Sequence, residues 1–108
     1  MTRALLFSLS LFATGSALAQ LKVVALHPII ADLARQVGGL HVQGDSLIDL
    51  DQDIHDFNPR PSQLVRVSQA KLILASGKHL EESWIAKVKD ARSDGTEIVE
   101  GGRRIPSL

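Results

Sequence analysis

The stretch from Lys22 to Gly39 has the sequence KVVALHPIIADLARQVGG, and it predicts a strand, a tight turn and a helix in succession. The run KVVAL is apolar and β-branched, which is typical of a strand buried on both faces of a parallel sheet. Pro28 is favoured at the first position of a helix, and apolar residues then recur at helical spacing up to a stop at Gly38-Gly39. Such a unit is the building block of α/β folds.

The rest of the chain repeats this alternation. A second strand is predicted within residues 41–48, and a third at Lys71–Ala75, where the sequence is KLILA. Between them we expect a polar loop and a helix with Ser62 as its N-cap. An amphipathic helix over Leu80–Ala91 then precedes a short fourth strand at Thr96–Val99. This order predicts an α/β fold, with a parallel sheet, helices on both faces and right-handed crossovers.

Residues 1–19 predict a cleavable signal peptide. Arg3 precedes an almost wholly apolar run that extends to Ala13, and Ala17-Leu18-Ala19 has the A-x-A form that signal peptidase recognises. The run is shorter than the roughly 20 apolar residues of a membrane-spanning helix. The alternative is an N-terminal helix buried in the fold. We expect cleavage before Gln20, which leaves residues 20–108 as the mature segment in the periplasm.

The charge and the cysteine content argue against nucleic-acid binding and against membrane attachment. Arg3 is the only charged residue of the leader, so 11 basic and 12 acidic side chains remain after it. A nearly neutral segment lacks the electrostatic footprint of a nucleic-acid or anionic-membrane binder. The chain has no cysteine, so we expect no disulfide, no lipid anchor of the bacterial lipoprotein kind and no stable membrane anchor.

Histidines fall near the predicted carboxyl ends of strands, where open parallel sheets bind their ligands. His27 follows the first strand, His55 lies in the loop after the second, and His79 follows the third. Histidine is the commonest metal ligand among side chains. The sequence has no H-E-x-x-H motif and no cysteine cluster, so spacing alone leaves each histidine open between a metal ligand and a solvent-exposed side chain.

The loop around His55 resembles a known family. Residues 53–63 have the sequence DIHDFNPRPSQ, which is similar to the metal-binding loop of the zinc and manganese solute-binding proteins of ABC importers (solute-binding protein family 9, cluster A-I). That family typically shows Asp-Pro-His, an aromatic residue two positions on, and then Pro-x-Pro-Ser followed by Asp or Gln. The residues in register are His55, Phe57, Pro59, Pro61, Ser62 and Gln63.

The resemblance covers residues 21–100 in the family's order, with departures in the loop itself. Ile54 stands where relatives usually have proline, and Asn58 stands where many have Glu; neither change removes a ligand. The residues from Ala70 to Glu81 look like the family's third strand and the turn that follows it. His79 occurs in some relatives without being a ligand, and whether His27 or His79 lines the cleft stays open.

The resemblance implies that the chain is the first part of the N-terminal lobe of a two-lobed, monomeric binding protein that is not an enzyme. His55 is carried over as the family's first metal ligand, and the remaining ligands would lie beyond Leu108. The implied cargo is Zn²⁺, with Mn²⁺ as the alternative, and the implied partner is the membrane permease of an ABC importer. A metal-dependent periplasmic enzyme and a metal-binding adhesin without a transport role are the alternatives.

Some side chains near His55 and in the last helix have open roles. Asp51, Asp53 or Asp56 could accept a hydrogen bond from the His55 imidazole and fix its orientation, or be solvated loop charges. Trp84 falls on the apolar face of the predicted helix, which favours a place in the core over stacking on a ligand.

Overall fold

The computed structural model describes residues 19–107 of the 108-residue chain. The predicted signal peptide therefore lies outside the described residues, apart from Ala19. Within the described range, no helix is both long and apolar enough for a membrane crossing. The elements in chain order are β1 (Leu21–Ala25), α1 (Pro28–Gly38), a one-turn 3-10 helix (Gly39–His41), β2 (Val42–Ser46), α2 (Pro61–Gln69), β3 (Leu72–Ala75), α3 (Ile85–Ala91) and β4 (Glu97–Glu100).

The strands of the described part form one parallel sheet in the order β2-β1-β3-β4. The chain passes from β1 outward to β2 and then returns across β1 to β3. With right-handed crossovers, this reversal puts α1 on one face of the sheet and α2 with α3 on the other. Helices α2 and α3 pack against each other. The predicted parallel α/β sheet with helices on both faces is confirmed.

The main core lies on the α2–α3 side of the sheet. The sheet contributes Val24 of β1 and Ile73 of β3 to this core. The helices contribute Val67 of α2 and Val88 of α3, which pack against the sheet. Trp84 is only 1% exposed and packs among them, which confirms its predicted place in the core. Because side chains alternate along a strand, the remaining buried residues of β1 face α1 on the opposite side.

Two predicted helix starts are wrong. Helix α2 begins at Pro61 with Arg60 as its N-cap, so Ser62 lies inside the first turn and does not cap it. Proline is favoured at a first helical position because its fixed φ already suits the helix. Helix α3 begins at Ile85 and not at Leu80. Lys78 and His79 have φ values of 56° and 66°, and the chain leaves this left-handed conformation through turns before the helix starts.

Candidate metal site

The loop that follows β2 is closed at its base by one side chain of α2. The Nε2 group of Gln63 donates a hydrogen bond to the carbonyl of Leu47 at 3.0 Å. Its Oε1 atom accepts from the backbone N–H of Arg60 at 2.8 Å. The first and last residues of the loop are therefore bonded to the same side chain, and the buried Pro59 stiffens its second half.

Between Asp53 and Asn58, the loop turns its apolar residues towards the core and its polar residues outward. Ile54 and Phe57 are each 8% exposed. The ring of Phe57 packs on Trp84, which precedes α3, and the neighbouring Asn58 side chain accepts a hydrogen bond from Lys87. The loop after β2 thus reaches the segment after β3, although β1 lies between these strands in the sheet. This packing leaves His55 exposed at the surface.

The backbone around His55 is held by hydrogen bonds on both sides of its α-carbon. Its N–H donates to Oδ1 of Asp53 at 2.8 Å. Its own carbonyl accepts from the hydroxyl of Ser83 at 2.7 Å, and the carbonyl of Ile54 accepts from Nε1 of Trp84 at 2.7 Å. Asp53, one of the three acids left open as acceptors for the imidazole, therefore accepts a hydrogen bond from the His55 backbone through Oδ1.

His27 caps a helix. Its Nδ1 accepts a hydrogen bond from the backbone N–H of Ile29 at 3.2 Å, at the N-terminus of α1. In a neutral imidazole whose Nδ1 accepts, the proton is on Nε2. The cap therefore occupies the lone pair of Nδ1 and leaves Nε2 as a donor, which makes this ring unsuited to binding a cation while it caps the helix.

His79 lies on an exposed turn after β3. Its Nδ1 is 3.5 Å from a carboxylate oxygen of Glu82, and both side chains are more than two-thirds exposed. The turn itself is shaped by Glu81, a buried carboxylate that accepts from the backbone N–H groups of Ser76 at 2.6 Å and Gly77 at 3.1 Å. His79 thus lies on a turn whose start is held by the Glu81 carboxylate.

The histidines near the strand ends do not form a common cluster in the part of the chain described. Among residues 19–107, no group of three or more His, Cys, Asp or Glu side chains is arranged to hold a metal ion. A zinc ion generally takes four ligands, or three with a water. An exposed imidazole on an anchored loop can supply one of them, so a complete coordination shell needs further groups.

Sequence comparison places these features among known proteins. The model of the family described as zinc-uptake complex component A, periplasmic (ZnuA) matches residues 23–107. The manganese ABC transporter substrate-binding lipoprotein PsaA of Streptococcus pneumoniae is 33% identical over 114 residues, which cover 89% of this chain and 37% of PsaA. The iron ABC transporter substrate-binding lipoprotein MtsA of Streptococcus pyogenes serotype M1 is 32% identical, over 74% of this chain and 30% of MtsA.

Structural comparison gives the same fold. The Mn-bound periplasmic metal binding protein from Candidatus Liberibacter asiaticus superimposes with a TM-score of 0.77 and 24% sequence identity, over 82% of this chain and 33% of that protein. The chain therefore spans about a third of the length of the relatives and solved structures it matches.

Proposed function

The chain belongs to the ZnuA family of periplasmic zinc-uptake components, and from that premise we propose that it is the N-terminal part of a solute-binding protein for an ABC-type metal importer. In this proposal the protein acts in the periplasm as a monomer, after removal of residues 1–19, and delivers a divalent metal ion to a membrane permease. The observation that carries it is the exposed His55 imidazole on a loop whose base, apolar face and backbone are all anchored.

Zn²⁺ is the proposed cargo, and Mn²⁺ is the second candidate. Neutral imidazole is a good ligand for zinc and an acceptable one for manganese, whereas carboxylates favour manganese. The family description names zinc, and the relatives compared above carry manganese and iron in their names. The histidine and the family description together favour zinc, and the ligands contributed by a second lobe would set the final preference.

In the proposed mechanism, both lobes of the protein contribute ligands to the same metal ion. His55 supplies one ligand from this lobe, and the remaining ligands come from the part of the protein that corresponds to the other two-thirds of its relatives. The coordination shell is then complete only when the lobes adopt the right relative position, so the bound ion and the interlobe geometry are coupled. A permease that recognises this geometry would distinguish the loaded protein from the empty one.

Equilibrium metal binding tests the carrier proposal, and binding without turnover separates a carrier from a metal-dependent enzyme. The full-length protein, first stripped with a chelator, is dialysed against Zn²⁺ and against Mn²⁺, and bound metal is counted by atomic spectroscopy. We expect one ion per molecule, recovered unchanged, because capture and release need no chemical conversion. A protein that takes up no divalent metal under these conditions would contradict the proposal.

Growth in metal-poor medium separates a carrier from an adhesin. A strain that lacks the gene is compared with its parent while a chelator withholds zinc from the medium. The carrier proposal predicts that the mutant stops growing at a chelator concentration that the parent tolerates, and that added zinc restores growth. A metal-binding adhesin without a transport role predicts equal growth of the two strains.

A further inference from the structure

We propose that Ser83 and Trp84 are positioning residues for His55, which hold its backbone so that the imidazole meets a divalent cation in a fixed place. This inference rests on the proposed function, because His55 needs positioning only if it binds metal. The two residues are 28 and 30 positions away in sequence from the carbonyls that they bind. They touch the backbone of the loop, so their effect on the metal acts through His55.

The bonds fix the direction of the side chain. The Ser83 hydroxyl holds the carbonyl that follows the His55 α-carbon, and the Trp84 indole holds the carbonyl that precedes it, both at 2.7 Å. Each carbonyl belongs to a planar peptide group, so holding it limits the rotation of that plane. With both planes held, the direction of the Cα–Cβ bond of His55 is set, and the imidazole keeps only its own side-chain torsions.

The two anchors are themselves held, but by different means. Trp84 is 1% exposed and packs in the main core, so its indole is fixed by burial. Ser83 is exposed and lies two residues after Glu81, whose carboxylate binds backbone N–H groups at the end of β3. The Ser83 hydroxyl fills no part of the core, which makes its removal a clean test of positioning.

The size of the effect follows from the strength of one hydrogen bond. A loop that is disordered before binding loses conformational freedom when it takes up a ligand, and this cost lowers the affinity. Loss of one ordinary intramolecular hydrogen bond corresponds to about a 3- to 10-fold change in an equilibrium constant. We therefore expect Ser83→Ala to weaken zinc binding by about 3- to 10-fold.

The test uses Zn²⁺ and the full-length protein, with affinities measured by competition against a chelator. Ser93→Ala is the matched control, since Ser93 is also an exposed serine whose hydroxyl donates to a distant backbone carbonyl, that of Ser68. We expect parent-like affinity for Ser93→Ala and weaker binding for Ser83→Ala, with metal-free melting temperatures that match each other. Ser83→Thr keeps the hydroxyl and restores the affinity.

Trp84→Phe tests the second anchor. The substitution keeps an aromatic ring in the core and removes the Nε1–H donor. The zinc affinity is measured well below the melting temperature of the variant. We expect Trp84→Phe to bind zinc more weakly than the parent, and the double variant with Ser83→Ala to bind it more weakly still. A Trp84→Phe protein that binds zinc like the parent overturns the role of Trp84.

The outcomes distinguish this inference from the function on which it rests. The positioning role of Ser83 is overturned if Ser83→Ala binds zinc like the parent, or if Ser83→Thr binds it as weakly as Ser83→Ala. The proposed function survives either result as long as His55→Ala binds zinc poorly. If His55→Ala itself binds zinc like the parent, His55 is not a ligand, and the positioning role falls with it.

Discussion

The rings of Phe57 and Trp84 meet edge to face, with their centroids 5.0 Å apart and their planes at 78°. This is a favoured arrangement for aromatic pairs, because the positive edge of one ring faces the negative face of the other. The contact joins the loop that carries His55 to the core between α2 and α3. The position of the candidate ligand therefore depends on tertiary packing as well as on the loop's own sequence.

Phe57→Ala should destabilise the protein strongly. Phe57 is 8% exposed, and truncation of a buried aromatic ring costs about 3–5 kcal/mol in free energy of unfolding. Denaturant unfolding of the full-length protein measures this loss. Leu50→Ala is the control, since Leu50 lies in the same loop but is 85% exposed, and it should change stability by less than about 0.5 kcal/mol. Equal stability of the two variants would contradict the anchoring of the loop by Phe57.

Glu81→Ala should destabilise the turn after β3. The buried carboxylate accepts from the N–H groups of Ser76 and Gly77, and a buried donor left without a partner costs about 1–3 kcal/mol. Glu81→Gln keeps one carbonyl oxygen as an acceptor and should lose less. Glu82→Ala, at a side chain that is 72% exposed, serves as the control. Thermal unfolding measures the stability of each variant. Equal melting temperatures for Glu81→Ala and Glu82→Ala would show that the Glu81 carboxylate does not hold the turn.

Gly38→Ala should destabilise the end of α1 through a direct clash. A β-carbon at this position would lie 2.6 Å from Cβ of Val42, which is branched and cannot swing away. Forcing an extra methyl group into such a site costs about 1–3 kcal/mol. At Gly101 an added β-carbon meets nothing closer than the Ala75 carbonyl at 3.8 Å, so Gly101→Ala is the control. A Gly38→Ala protein as stable as Gly101→Ala would contradict this close approach.

The alternation of elements could be predicted because its signals are local. The apolar run from Lys22 and the proline at position 28 predicted β1 and α1 to within a residue. The starts of α2 and α3 were missed for different reasons. At α2, proline at the first position outweighs the capping preference of Ser62. At α3, the carboxylate of Glu81 holds a turn whose residues have positive φ, and apolar periodicity carries no signal for such a turn.

The candidate site was only partly predictable. Sequence patterns put His55 in the loop after β2, and its role as a ligand stays a prediction. Gln63 was noted only as a match to the family pattern, and its bonds to both ends of the loop emerged from the structure. The anchoring by Ser83 and Trp84 left no signal in sequence, because these residues bind carbonyl groups about 30 positions away and any residue supplies a carbonyl.

Processing of the leader is a separate prediction. Arg3, the apolar run and the A-x-A site before Gln20 predict removal of residues 1–19 during export. The intact mass of protein isolated from the periplasm should correspond to a chain that begins at Gln20, with or without cyclisation of that glutamine. A periplasmic protein that retains Met1 would contradict the signal-peptide prediction.

The central claim is that His55 binds the metal, and the most direct measurement is isothermal titration of Zn²⁺ into the full-length protein with a competing chelator. His55→Ala should fold normally, because His55 is exposed. Changing a residue that only orients a metal ligand weakens binding by roughly 10–100-fold, and loss of the ligand His55 itself should weaken zinc binding by more than that. His79→Ala, at another exposed histidine after a strand end, should bind like the parent. A His55→Ala protein that binds zinc as tightly as the parent would contradict the claim.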